Sequence, residues 1–259
     1  MVPLVDMHVH LCAGLDDGPR SLDDAVQMCR RSHAEGTRLS VALAHQNESW
    51  PDVTPDRIRA AVADLAARLR AEQLEFAVYP TAEVMVGPDT EADWRAGRFL
   101  TVADRGAALL LEMPHQLFLD VRSLVRTLTR AKVRPILAHP ERTPELLHDP
   151  GRIEELIGLG ALVQVSTGSV TKPEDGRAER ALKGWFRRGV VHFIGSDGHS
   201  PNRRPPRLAD AARVIRRWAG DRVADRVCGT LGTAVLQGLP VTVPPPEPPR
   251  RTWFARLVG

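Results

Sequence analysis

Residues 4–18 read LVDMHVHLCAGLDDG, an apolar alternating run that ends in a loop carrying two adjacent aspartates. Alternation of this kind marks a strand. Beyond the loop, Ser21 precedes LDDAVQMCRRSHAEG, with acids in the first turn and Gly36 as a stop, the boundary signals of a helix. The same order recurs down the chain. RLSVALAH (38–45) precedes TPDRIRAAVADLAARLRAEQ (54–73), EFAVYPTAEV (75–84) precedes a short helix near 90–96, and AALLLEM (107–113) precedes FLDVRSLVRTLTRAK (118–132). VRPILAH (133–139) is followed by GRIEELIGLG (151–160), ALVQVST (161–167) by RAERALKGWFRRG (177–189), and VVHFIGSD (190–197) by RLADAARVIRRWAG (207–220). Apolar strands that each lead into a helix imply a parallel sheet with helices packed over it. Seven such units with no Gly-rich dinucleotide loop predict a closed or nearly closed α/β barrel rather than an open doubly wound sheet.

Composition agrees with one such domain. The chain has 259 residues, 43% hydrophobic and 26% charged, enough to bury a sizeable core. Its 35 basic and 32 acidic side chains leave a net charge of +3, too small an excess to mark a nucleic-acid surface. Cys12, Cys29 and Cys228 are odd in number and scattered, which fits reduced thiols. With neither a basic leader nor a long apolar run at the N-terminus, the expectation is a cytoplasmic protein without a membrane span. The barrel is expected over 1–238. A proline-rich tail, 239–259, should run extended, with Trp253, Phe254 and Leu257 as an apolar tip that reads more readily as packed or frayed than as a docking segment.

Parallel barrels carry their chemistry at the C-terminal ends of the strands. His8 and His10 close the first strand and share one face of it, so they can grip one ion. Asp17 follows in the first loop, His45 ends the second strand, Glu83 the third, Glu112 the fourth and His139 the fifth, while Asp197 and His199 end the seventh. The sixth, ending near Ser166, offers no evident ligand. A lone strand-end histidine is most often structural, and an aspartate beside glycine is usually a turn residue. Five imidazoles and four carboxylates on one rim reverse that balance, because burying them together without cations incurs severe desolvation and like-charge penalties. Of the other histidines, His33 lies on a helix, His148 in a loop, and His192 has the opposite strand parity from Asp197. His115 could reach the rim, as a substrate contact or a loop residue.

The segments DMHVHLCAGLDDGPRSLDDA, LAHQ, TAEV, LLLEMPH, ILAHPER, GALVQVSTGS and VVHFIGSDGHSPNRRPP resemble the bacterial tyrosine phosphatases of capsule and exopolysaccharide synthesis, within the polymerase and histidinol phosphatase superfamily. The resemblance implies a distorted (β/α)7 barrel holding three divalent ions, manganese first and iron, zinc or magnesium as alternatives. It places His8, His10 and Asp197 on one ion with Glu83 bridging, Glu112 and His139 on a second with the same bridge, and Asp17, His45 and His199 on the third. Many relatives carry a histidine or basic residue where this chain has Gln46, which leaves the surroundings of the third ion open. The implied partner is a phosphotyrosine protein, the tyrosine-rich tail of a capsule-synthesis kinase.

Charge then suggests the reaction. Three divalent ions against four carboxylates leave about +2 to attract a phosphate dianion, and a bridging water acidified by the ions becomes the hydroxide that attacks phosphorus. Arg142, and Arg203 or Arg204, could fork onto phosphate oxygens; for Arg142 a structural ion pair is an equal alternative. Asp197 or His199 could assist the leaving group through water. Asp16 reads as a turn former or a support for the ligands. No cysteine has an arginine six residues on, so thiolate phosphatase chemistry is set aside. The rival readings are a histidinol-phosphate or other small-molecule phosphatase, an exonuclease of the same superfamily, an amidohydrolase, which would normally use a bridging lysine where Glu112 stands, and a non-enzymatic metal-holding module.

Overall fold

A computed structural model describes residues 2–114, 117–239 and 241–247. Seven strands form one sheet in sequential order, every neighbouring pair parallel: β1 (Leu4–Asp6), β2 (Thr37–Gln46), β3 (Ala77–Met85), β4 (Ala108–Glu112), β5 (Arg134–Ala138), β6 (Leu162–Ser166) and β7 (Phe193–Gly195). The main connecting helices are α1 (Leu22–Ala34), α2 (Pro55–Ala71), α3 (Thr90–Arg95), α4 (Arg122–Arg130), α5 (Pro144–His148), α6 (Pro150–Gly158), α7 (Thr167–Thr171), α8 (Gly176–Arg188) and α9 (Ala209–Ala219). Their starts follow local chemistry. The Ser21 hydroxyl accepts from Asp24 N–H, Thr54 accepts from Arg57 N–H with Pro55 in the first turn, and Asp175 accepts from Arg177 and Ala178. His148, expected in a loop, ends the short α5 instead.

The sheet curls into a nearly closed distorted barrel. Beyond β1 the chain stays extended along β7: Met7 N–H donates to Ile194 O (3.1 Å), Asp197 N–H to His8 O (2.7 Å) and His10 N–H to Gly198 O (3.0 Å). These bonds bring His8 and His10 beside Asp197. Ala42, Val84, Leu109, Leu137, Val163 and Ile194 face outward under the helices, while Val41, Leu43, Leu110, Ile136, Leu162 and Phe193 fill the interior. Both faces are buried, which is why the strands read as apolar runs.

The N-terminal mouth is sealed by a segment not anticipated as helical, α10 (Asp221–Asp225), a π-helical turn (Arg226–Thr230) and α11 (Leu231–Gln237). Leu236 completes the interior cluster, and Gly232 sits so close to β1 that a Cβ there would lie 2.8 Å from Val5 Cγ1. The C-terminal mouth stays open for chemistry. After Gly238, Val243 packs against the interior cluster and Glu247 meets the last residue of α8, its N–H donating to Arg188 O (2.8 Å) while Arg188 Nε–H donates to Glu247 O (2.7 Å). Trp253, Phe254, Leu257 and His115 lie outside the described residues.

His192 faces away from the mouth, as its parity requires. It is fully buried, Val163 N–H donates to its Nδ1 (3.0 Å), and burial with Arg226 and Arg134 nearby lowers its pKa to about 3. The unfolded chain takes up this proton near pH 6.5, the folded chain only near pH 3, so the stability His192 contributes is complete above about 6.5 and is lost as pH falls. Between pH 7 and 5 the loss should be about 2 kcal/mol. Denaturant midpoints at the two pH values should show that loss in the native protein and its absence in His192→Gln; equal pH dependence in both would refute it.

Candidate metal centre

All nine expected ligands converge at the open mouth. Their ligand atoms fall into four overlapping groups, each within 4.8 Å: His10, Asp17, His45 and His199; His8, His10 and Asp197; His8, Glu83 and His139; His45, Glu83 and Glu112. Glu83 is the hub. Its Oε2 lies 3.2 Å from His8 Nε2, 3.4 Å from His10 Nε2 and 3.2 Å from His45 Nδ1, and its Oε1 accepts from or faces His139 Nε2 at 3.0 Å. Asp17 Oδ1 closes the outer side at 3.6 Å from His45 Nε2 and 3.5 Å from His199 Nε2.

Simple alternation delivers His45, Glu83 and Glu112, which follow the inward residues Leu43, Thr81 and Leu110. It does not deliver His8 and His10. Val5 and Met7 face the barrel interior while Val9 and Leu11 face outward, so the parity switches between Met7 and His8. Asp6 holds this switch, its Oδ1 accepting from His8 N–H (3.1 Å) and Ser196 N–H (2.9 Å). His139 follows the inward Ala138 and would point outward, but a left-handed backbone (φ 31°) swings it back; Asp197 is left-handed too (φ 53°). Each such residue costs about 1–2 kcal/mol, a cost that surrounding structure must offset. Gly195 makes the space, since a Cβ there would lie 2.2 Å from His8 Cβ.

The distal ring nitrogens are held. His8 Nδ1 bonds to Gln164 Oε1 (3.0 Å), and the same oxygen accepts from His139 N–H (3.3 Å), so His8 Nδ1 is the donor. His10 Nδ1 bonds to Asp16 Oδ2 (2.7 Å), which also accepts from His45 N–H (3.0 Å), and His199 Nδ1 bonds to Asp197 O (2.9 Å). Fixing Nδ1 in this way points the Nε2 lone pairs at the centre. Asp16, read as a turn former or a support, has contacts of both kinds, since its Oδ1 also accepts from Gly18 N–H (2.9 Å). Gln164 went unnoticed in the sequence, because a neutral amide inside a buried strand looks like any half-polar position. Its signal was a polar residue set between two valines in the middle of the strand with no ligand.

The donor set fits cations. His8 Nε2, His10 Nε2, His45 Nδ1, Glu83 Oε2 and Glu112 Oε2 are all buried without a hydrogen-bond partner. Buried polar atoms are almost always satisfied, and five unpartnered imidazole nitrogens and carboxylate oxygens close together are the donor types that divalent ions take. Despite burial, the Asp16 and Glu83 carboxylates hold His10 up to about 10, and burial together with the Glu83 charge raises Glu112. Glu83 itself, against its burial, is kept well below the usual carboxylate range by His8, His10 and His139.

Arg142 and Arg204 both reach the centre through Nη2 on Asp197 Oδ2, and Arg142 Nη2 also donates to Ser166 Oγ (3.2 Å). Arg203 donates its backbone N–H to Ser200 Oγ and its side chain is exposed, so of the two candidates in that loop Arg204 is the one at the site. Gln46 turns away: its amide donates to Val53 O and Arg98 O and accepts from Leu100 N–H, tying loops together behind the ligands. Cys12 is buried against Ala42 O at 3.6 Å, its thiol pushed up by burial, which suits packing and not nucleophilic attack.

Residues 4–237 match the family described as "Capsular polysaccharide synthesis, CpsB/CapC". The chain belongs to that family. Among CpsB/CapC relatives it is similar to the tyrosine-protein phosphatase YwqE of Bacillus subtilis, 26% identical across 96% of this chain and 97% of that protein. It is also similar to the tyrosine-protein phosphatase CpsB of Streptococcus agalactiae, 23% identical across 86% and 94%. Its fold matches a solved structure from work on YwqE of Bacillus subtilis and CpsB of Streptococcus pneumoniae, described there as metal-dependent tyrosine phosphatases, with a TM-score of 0.86 at 24% identity over 96% of this chain and 100% of the other. The CpsB/CapC match spans the whole barrel, including every residue of the candidate centre.

Proposed function

We propose that this chain is a metal-dependent protein-tyrosine phosphatase acting on a phosphotyrosine protein of capsule or exopolysaccharide assembly, with His8, His10, Asp17, His45, Glu83, Glu112, His139, Asp197 and His199 holding up to three divalent ions, manganese foremost. The observation that carries the reading is the set of five buried, unpartnered imidazole and carboxylate atoms around Glu83. Divalent ions held there supply positive charge against phosphoryl oxygens and acidify water toward neutrality, providing a nucleophile for attack on phosphorus. The chain's own groups do the rest. Among the described residues the Arg142 and Arg204 guanidinium groups bond only through Nη2, which leaves their other N–H groups to fork onto non-bridging oxygens of the phosphate. Gln164, Asp16 and the Asp197 carbonyl keep the imidazole rings in their ligating tautomers.

Leaving-group chemistry adds to this reading. Against its burial, His8 and Arg142 hold the Asp197 carboxyl below the usual carboxylate range, so it stays ionised and is a poor proton donor. A phenol with pKa near 10 departs without a strong acid far more readily than an alkanol does. This favours tyrosine phosphate over serine phosphate or histidinol phosphate. The tyrosine-rich tail of a capsule-synthesis kinase is the partner we propose, in the cytoplasm, where buried free thiols at Cys12, Cys29 and Cys228 stay reduced. No helix among the described residues is long and apolar enough to cross a membrane.

The test compares kcat/KM for a phosphotyrosyl peptide, the matching phosphoseryl peptide and histidinol phosphate. The tyrosyl substrate should lead by on the order of 10²-fold or more, roughly the weight of a few kcal/mol in leaving-group stabilisation. Equal rates, or preference for histidinol phosphate, would overturn the assignment.

A further inference from the structure

The rim of the barrel is divided by chemistry. After β5, β6 and β7 it is basic, with Arg142, Lys172 and Arg204. After β2, β3 and β4 it opens into a groove of about 740 Å³ whose walls include Trp50, Met85, Val86, Phe99, Pro114 and Leu119. The groove adjoins the candidate metal centre along the chain: Gln46, Met85 and Pro114, which line it, follow His45, Glu83 and Glu112 by one or two residues. Its base is built rather than accidental: the buried Gln46 amide ties Val53, Arg98 and Leu100 together behind it. Trp50 and Phe99 are left half-exposed. Two carboxylates, Glu48 and Asp89, also line it, both exposed and without an ion pair among the described residues, whereas Asp93 is paired with Arg98.

We propose that this groove is the substrate-selecting surface, taking apolar side chains that flank the phosphotyrosine in an extended peptide and rejecting acidic ones. The inference rests on the phosphatase reading above. A phosphate bound between the metal centre and the basic half of the rim leaves the tyrosyl ring leading outward and the peptide main chain lying across the loops, not among the ligands. Neighbouring residues then land on the apolar half. Contact there removes apolar surface from water, which stabilises the complex, while Glu48 and Asp89 repel a negatively charged flank. Small aryl phosphates do not extend that far.

The experiment uses the manganese-loaded protein with three phosphotyrosyl peptides that differ only in the residues beside the phosphotyrosine: leucine and phenylalanine, glycines, or aspartates. The apolar-flanked peptide should exceed the glycine peptide in kcat/KM by about 10-fold or more, as expected for burying one large apolar side chain, and the aspartate peptide should fall below the glycine peptide. Trp50→Ala and Leu119→Ser should erase the apolar advantage while leaving p-nitrophenyl phosphate turnover within twofold. A parallel calorimetric titration with non-hydrolysable phosphonate versions of the peptides should give the same order in Kd. Equal values for the three peptides, or an equal loss on peptide and p-nitrophenyl phosphate in both variants, would overturn the groove. Absence of turnover on every phosphotyrosyl substrate would instead remove the phosphatase reading, and the Kd order would still decide the groove.

Discussion

Replacing Glu83 by glutamine should abolish turnover while leaving the barrel folded. Glutamine has the same shape, and a neutral amide is easier to bury than a carboxylate. What it removes is the one group whose two oxygens meet His8, His10 and His45 on one side and His139 on the other. Deleting a single transition-state contact in a preorganised site costs on the order of 10²–10³-fold in kcat. Glu83 belongs to two of the four ligand groups and faces four of the five imidazoles, so the loss should reach the upper end of that range or exceed it. Elemental analysis should find fewer ions per chain than in the native protein, and circular dichroism should be unchanged. A Glu83→Gln protein that keeps full metal content and near-native rate would remove Glu83 from the ligand set and with it the centre proposed here.

Stripping ions with a chelator should produce the second large change, visible in two independent measurements. Activity should fall to background and return with added manganese, since the cysteine nearest the mouth offers no substitute nucleophile: Cys12 is buried against Ala42 with its thiol pushed up. Thermal stability should fall with it. Ligands that bind only the folded state at 100 times their Kd contribute about 2.7 kcal/mol, and for a chain of this size that corresponds to a melting shift of roughly 5–10 °C. The buried His8, His10, His45, Glu83 and Glu112 atoms are the reason to expect so much, because an ion would give each the partner that no hydrogen bond within the protein supplies. Activity and melting temperature both indifferent to the chelator would show that the centre works without metal.

The sequence made the barrel and its ligand rim legible through two rules, apolar strands alternating with capped helices, and chemistry at strand ends. His45, Glu83 and Glu112 obey both. His139 and Asp197 were found by position alone, since their inward aim depends on left-handed backbone that no local pattern announces. The same limit hid the switch in parity at Met7: two histidines one residue apart reveal that they share a face, not which face. Gln164 escaped because its role is relational, visible only when His8 Nδ1 and His139 N–H are seen meeting one oxygen. The helical seal over 221–237 escaped because glycines at 229 and 232, needed for close approach to Pro3 and Val5, weaken the helical signal they sit in.

The seam at Met7 has a consequence for how this protein tolerates change in length. From Val5 to His10 the chain must run inward, reverse its aim, and run inward again within six positions, pinned by Asp6 at one end and by the bonds to Ile194 and Gly198 along its length. Adding or removing one residue there would rotate both imidazoles into the helical layer and unzip the cylinder along the line where it is joined. A one-residue insertion in the exposed turn near Glu48 would do neither. Circular permutation that opens new termini in that turn should therefore preserve the ion cage, whereas cutting between Val5 and His8 should dismantle the cage and the closure together.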